Sequence, residues 1–137
     1  MTKNLKSIAE RWMIEGWQKG NVQMVDELHA PDFVDHAAAG RDSSREGFKA
    51  GIAGLYAAFP DFYAVTEDLI IDATTGKVVI RWTAAGTQCG TFVNIPPTGK
   101  KITFAGIEII RIENDRIVER WGEWNGLDLI EQLGGLP

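Results

Sequence analysis

The fold turns on residues 102–112, ITFAGIEIIRI. Successive side chains of a strand point to opposite faces of the sheet. Ile102, Phe104, Glu108, Ile110 and Ile112 therefore share one face, and Thr103, Ala105, Ile107, Ile109 and Arg111 share the other. Both faces are largely apolar. One can cover a core and a pocket. The other needs a second cover, and a partner copy of the chain, making a homodimer, is the economical expectation.

The flanks of this strand extend the same pattern. Glu113-Asn114-Asp115-Arg116 is a tight turn, and Ile117 to Trp124 is the next strand. Upstream, Phe62 to Asp72 and Val78 to Thr87 are β-rich and joined by the turn Thr74-Thr75-Gly76-Lys77. Asn94 to Gly99 holds two prolines and reads as a loop, because proline cannot donate in a central strand.

The first half has helical spacing. Leu5, Ile8, Ala9, Trp12 and Met13 form one apolar stripe, with Lys6, Glu10 and Arg11 on the wet side. Asn21 is placed to cap a short helix through Leu28, which Pro31 ends. Asp32 to His36 reads as extended and Ala37 to Gly40 as a loop. Asp42 or Ser43 can cap a third helix, with Glu46 spaced for a capping box with Ser43. Its apolar face carries Phe48, Ile52, Leu55, Tyr56 and Phe59, and Pro60 stops it. Leu127 to Leu133 closes the chain as a helical turn. Helices followed by a β-meander predict one α+β domain over residues 1–137: a curved antiparallel sheet with N-terminal helices enclosing a pocket.

Composition narrows the partners. The chain of 137 residues carries a formal net charge of −5 and no block of Lys and Arg. That disfavours nucleic acid and acidic membrane surfaces. The one cysteine, Cys89, can form no internal disulfide. No stretch approaches the roughly 20 apolar residues of a membrane span, and no signal-like run opens the chain. A soluble, cytoplasmic protein is the expectation. The two histidines stand seven residues apart, no ligand spacing suggests a metal, and no phosphate loop is present, so a reaction without cofactor or metal is expected.

Several stretches, in order, resemble elements of the SnoaL-like family. They are Phe33-Val34-Asp35-His36, Ala57-Ala58-Phe59-Pro60-Asp61-Phe62, Pro96-Pro97-Thr98-Gly99-Lys100, Ile109-Ile110-Arg111-Ile112 with Arg116 to Trp121, and Gln132-Leu133-Gly134. The resemblance implies the cone-shaped α+β fold of the nuclear transport factor 2-like superfamily. It also implies aldol-type polyketide cyclisation, or the chemistry of related isomerases, hydroxylases, dehydratases and epoxide hydrolases. The cyclases carry a catalytic aspartate shortly after the tryptophan that matches Trp121. The positions one and four residues on are Gly122 and Asn125 here, and Glu108 stands where the family has a histidine. The acid–base pair of the cyclases is therefore not carried over intact.

A carboxylate in an apolar pocket is a natural base for removing a proton beside a carbonyl. Glu108 fits that role; its other reading is an ion pair with Arg81 or Arg120 in a buried network. His36 and Asn125 are candidates to polarise the substrate oxygen. His29, near a helix end, reads as a surface or cap residue. Trp12, Phe33, Tyr56, Trp82, Phe104, Glu123, Trp124 and Asp128 are candidate contacts to a small apolar or aromatic ligand. Two rivals stand beside an acid–base enzyme. One is a non-catalytic binding protein. The other is an epoxide hydrolase, whose branch uses an Asp–Arg–Asp set around one water.

Overall fold

Leu5, Ala9 and Trp12 are all buried, as their spacing of four and three requires of one helix face. They lie on α1 (Thr2–Trp12). The computed structural model that supplies these coordinates describes residues 2–37 and 41–135, so the loop read over 37–40 lies, from 38 onward, outside the described residues. α1 does not stop at Gly16. It widens into a π-helical turn, Met13–Gln18, which ends before Gly20 at φ +69°. α2 (Gln23–Leu28) follows, and the Asn21 side chain accepts the Gln23 N–H at 3.2 Å.

β1 (His29–Asp35) starts three residues earlier than expected. It is an edge strand, which tolerates Pro31. His29 takes the cap half of its expected reading, as the C-cap of α2, but it is fully buried and not on the surface. α3 (Arg45–Ala58) is capped by Ser44, whose Oγ accepts the Gly47 N–H at 3.1 Å. The cap is one residue beyond the expected pair, and Asp42 instead holds the Ser44 backbone and hydroxyl. Glu46 is spent on Lys49 rather than on a capping box.

β2 (Tyr63–Asp72), β3 (Lys77–Thr87), β4 (Lys101–Glu113) and β5 (Arg116–Trp124) form the meander, and α4 (Gly126–Gln132) closes it. The five strands run in the order β1-β5-β4-β3-β2. The pairings β2–β3, β3–β4 and β4–β5 are antiparallel, and β1 lies parallel to β5, a pairing the sequence reading did not include. The α+β class stands, with one five-stranded sheet and helices before and after it.

The alternation read from β4 holds. Ile102, Phe104, Glu108, Ile110 and Ile112 are buried, while Thr103, Ala105 and Ile107 are exposed. A bulge changes the phase of β5. Arg111 pairs Glu119, but Ile112 pairs Ile117, so Val118 is the extra residue. Arg120, Gly122 and Trp124 consequently face inward with Ile110, Glu108 and Gly106, and Trp121 and Glu123 face outward with Ile109 and Ile107.

The inner face carries two apolar clusters. One joins α1, α2, β1 and the start of α3 to the sheet through residues such as Trp12, Phe33, Phe48 and Ile80. The other joins the end of α3 and α4 to the opposite part of the sheet through Phe59, Phe62, Phe104 and Leu129. Each such aliphatic or aromatic side chain contributes roughly 1.5–3 kcal/mol on burial. Trp17, Tyr56 and Trp82 touch both clusters.

Candidate functional site

A cavity of about 290 Å³ opens where the two clusters meet. Its walls come from the π-turn (Met13, Trp17), α3 (Phe48, Ile52, Leu55), the sheet (Ala64, Trp82, Phe104) and the loop residue Phe92. Three charged side chains line it: Arg41, Glu108 and Arg120. Gly106 is needed for this shape. It pairs with Trp82, and a Cβ there would overlap the Trp82 ring.

Glu108 is 2 % exposed. Its Oε1 accepts from Arg120 Nε at 2.8 Å. Arg120 Nη1 donates to Asp35 Oδ1 at 2.8 Å, and Arg41 Nη2 donates to Asp35 Oδ2 at 2.9 Å. The result is a chain of alternating charge, Glu108–Arg120–Asp35–Arg41, in which every member but Asp35 lines the cavity. Arg120 also lies over the Phe48 ring, 5.1 Å from its centroid. Its third nitrogen, Nη2, is bonded to neither carboxylate. It lies beside Gly122, where a Cβ would come within 3.0 Å of it, and Gly122 lines the cavity.

Burial pushes the Glu108 carboxyl above the ordinary range, and the Arg120 charge opposes that without cancelling it. Burial alone would weaken the Arg120 charge, but Glu108 and Asp35 together outweigh it. A carboxylate with raised proton affinity, a free guanidinium N–H beside it and apolar walls can remove a proton from carbon and hold the oxyanion that forms.

The structure brings some of the expected site residues to this cavity and leaves others away from it. Glu108, Trp82, Phe104 and Trp124 line it, with Trp124 half-exposed at the rim. Both readings of Glu108 meet here, since it is in the cavity and paired with Arg120. His36 is not in the cavity. It stacks on Trp121 at 4.9 Å and bonds Glu119 at 2.8 Å, with the outward-facing residues of β5. The reason is parity: Phe33 and Asp35 are buried on β1, so the next side chain emerges on the other face. Asn125 caps α4, its Oδ1 accepting the Asp128 N–H at 3.1 Å. Asp128 accepts from Gln132 along the same helix, and Glu123 faces outward. Trp12 and Phe33 are closed core. Tyr56 donates to the Trp17 carbonyl at 2.7 Å from behind the wall, and burial pushes its hydroxyl up to about 12.

Asp35, Arg41 and Trp17 were not singled out from the sequence. The signal for Asp35 was present, as it alternates with Phe33 on a strand that must bury one face.

Similarity to known proteins agrees with this architecture. The family model described as SnoaL-like polyketide cyclase matches residues 7–133. AclR from Streptomyces galilaeus is 24% identical over 100% of both chains, with a TM-score of 0.88, a likeness of fold. IdmH from Streptomyces antibioticus, described as a candidate polyketide cyclase, is 27% identical over 95% of this chain and 98% of its own, with a TM-score of 0.81. A search of curated proteins finds no significant match.

Proposed function

The chain belongs to the SnoaL-like polyketide cyclase family, and from that premise we propose that it performs acid–base chemistry on a small apolar carbonyl compound, an aldol-type cyclisation or an isomerisation. Glu108 takes the proton from the carbon next to the carbonyl. The electrons move onto the carbonyl oxygen, which Arg120 Nη2 holds as the enolate. In a cyclisation the enolate carbon then attacks a second carbonyl of the same molecule, and the proton on Glu108 goes to the new alkoxide. Arg120 takes the polarising role expected of His36 and Asn125, because it is the donor beside Glu108 on the cavity wall. The reading rests on one observation: a fully buried carboxylate lines an otherwise largely apolar cavity next to a guanidinium nitrogen that no carboxylate occupies.

The carboxylate–Arg–carboxylate chain also invites the epoxide hydrolase reading. Ring opening needs one carboxylate to activate water and another to protonate the departing oxygen. Both Asp35 oxygens are taken by Arg120, Arg41 and the Ala37 N–H, and Asp35 does not line the cavity. Acid–base chemistry through Glu108 is therefore preferred. Glu108→Gln should lower turnover by about 10²–10⁴-fold with the fold intact. Product is followed by chromatography as well as mass, since an isomer has the mass of its substrate. Survival of activity in that variant overturns the assignment. Ligand that binds and emerges unchanged from the wild type supports the non-catalytic binding protein instead.

The outer face of the sheet exposes Tyr63, Ile70 and Ile107. A second copy of the chain is the proposed cover, and monomer alone in sedimentation at micromolar concentration would remove that proposal.

A further inference from the structure

We propose that the substrate of this cavity carries a carboxylate besides its carbonyl group, and that Arg41 binds that carboxylate at the cavity mouth. The inference rests on the reading of the cavity as the site of acid–base chemistry, and deepens it with a substrate class and a specificity residue.

Arg41 and Arg120 line the same cavity as Glu108, and one buried carboxylate aims both of them. Asp35 accepts from Arg120 on Oδ1 and from Arg41 on Oδ2, and the Ala37 N–H also falls on Oδ1. Two cations on the wall therefore share an anion that stands behind it, where a ligand does not reach. The other carboxylate of the group, Glu108, is paired with Arg120. Among the described residues Asp35 is the only acceptor for Arg41, and it takes one nitrogen of a guanidinium with five N–H donors.

Two surfaces fix the Arg41 side chain. Asp35 holds Nη2 at 2.9 Å, and α3 lies against it at Gly51, where a Cβ would come within 2.6 Å of Nε. One turn on, Gly54 also lines the cavity, and a Cβ there would meet nothing within 4 Å. The wall beside Arg41 is thus open. The Arg41 side chain is 37 % exposed, against 12 % for Arg120 and 2 % for Glu108. That order puts Arg41 at the mouth and Glu108 in the depth. A ligand carboxylate at the mouth keeps part of its hydration, whereas in the depth it would be stripped of water beside a second acid. The planar edge of a guanidinium matches the two oxygens of a carboxylate.

The spacing and the volume narrow the class further. Arg120 and Arg41 hold the two oxygens of one carboxylate, so the groups they bind on a ligand are only a few bonds apart. A cavity of roughly 150 Å³ encloses a benzene ring. The cavity here, about 290 Å³, suits a keto acid of one or two rings.

The test reads binding, not turnover. The probe is β-benzoylpropionate, an aryl ketone with a carboxylate, and its neutral counterpart has a methyl ketone in place of the carboxylate. In calorimetry the wild type should bind the acid about tenfold more tightly than the diketone, the worth of one charge-assisted contact. Arg41→Gln should bring the two affinities together by weakening the acid alone. An arginine that merely covers Asp35 would, once replaced, weaken both ligands alike and leave their ratio unchanged. That result overturns the inference. So does a wild type that treats the two alike, prefers the diketone, or binds neither at millimolar concentration. If Arg41→Gln does not fold, Arg41→Lys is read in its place: a point charge lacks the planar edge, so the ratio should narrow, and an unchanged ratio overturns the inference. Gly54→Leu locates the contact. It should weaken the acid, and undiminished binding there puts the carboxylate elsewhere and also overturns the inference. Activity retained by Glu108→Gln would sink the base assignment only, while the affinity ratio still decides on Arg41.

Discussion

Glu108 and His29 are both polar, both buried, and both on strands facing the same helices, yet the chain treats them in opposite ways. Glu108 borders an open volume and keeps a charged partner at 2.8 Å. His29 sits in closed aromatic packing, with Trp12 at 4.5 Å, Phe33 at 4.7 Å and Phe48 at 5.4 Å. One ring nitrogen meets the Val25 carbonyl at 3.1 Å, and the other has no partner. Burial holds its imidazole down at about 3, so it is neutral at ordinary pH. The cavity end of the core therefore retains a charged side chain by pairing it, and at the closed end the buried ring itself stays uncharged. A buried charge kept on a cavity wall is the arrangement that serves a ligand; a buried neutral ring serves packing.

The largest effect should come from unpairing the cavity end. Arg120→Met leaves Glu108 without its cation and Asp35 with only Arg41. Breaking a buried pair from one side costs about 3–5 kcal/mol, to be read from urea unfolding at pH 7. Adding Glu108→Gln to that variant should recover part of the loss, because the orphaned charge is then gone. A loss in the single variant no larger than that of an exposed ion pair, roughly 0–1 kcal/mol, would break the comparison, since the two ends of the core would then be equally indifferent to charge.

The inward position of Glu108 was legible because β4 alternates without interruption and pairs β3 in unbroken register. The helices were legible from their apolar spacing. Arg120 was legible only as a partner of Glu108 and not as a cavity residue. Its direction depends on the bulge at Val118, and an extra residue in a strand leaves no mark in an alternation read from one end. Trp17 was hidden for a similar reason, as the π-turn Met13–Gln18 changes the helical period beyond the apolar stripe. His36 could have been placed correctly from Phe33, since parity along β1 puts the two on opposite faces. Asn125 matched a family position, but its local sequence, followed by the short helix Gly126–Gln132, fits an N-cap as well, and the backbone resolves the choice.

The smaller effect sharpens the comparison through its sign. The His29 pKa falls from 6.5 in the unfolded chain to about 3 in the folded one. Its contribution to stability is intact above pH 6.5 and is lost as pH falls toward 3, because the unfolded chain takes a proton that the folded core refuses. The slope is about 1.4 kcal/mol per pH unit, or about 2.5 kcal/mol by pH 4.5. Glu108 acts in the reverse sense. Its folded pKa lies above 4.5, so its contribution is fully present below 4.5 and lost as pH rises through the folded value. The carboxylates held low by hydrogen bonds, Asp26, Asp61, Asp72 and Glu119, lose their contributions below their unfolded values of 3.8 to 4.5. The window from pH 6.5 to 4.5 therefore sets His29 against Glu108. His29→Leu is the test, because the Val25 carbonyl keeps the backbone N–H of residue 29 as a partner. As pH falls across that window the wild-type urea midpoint should fall relative to the variant's, since only the wild type carries the His29 loss while both carry the Glu108 gain. A fall of equal size in both proteins would mean that His29 is not the group that keeps charge out of the closed end.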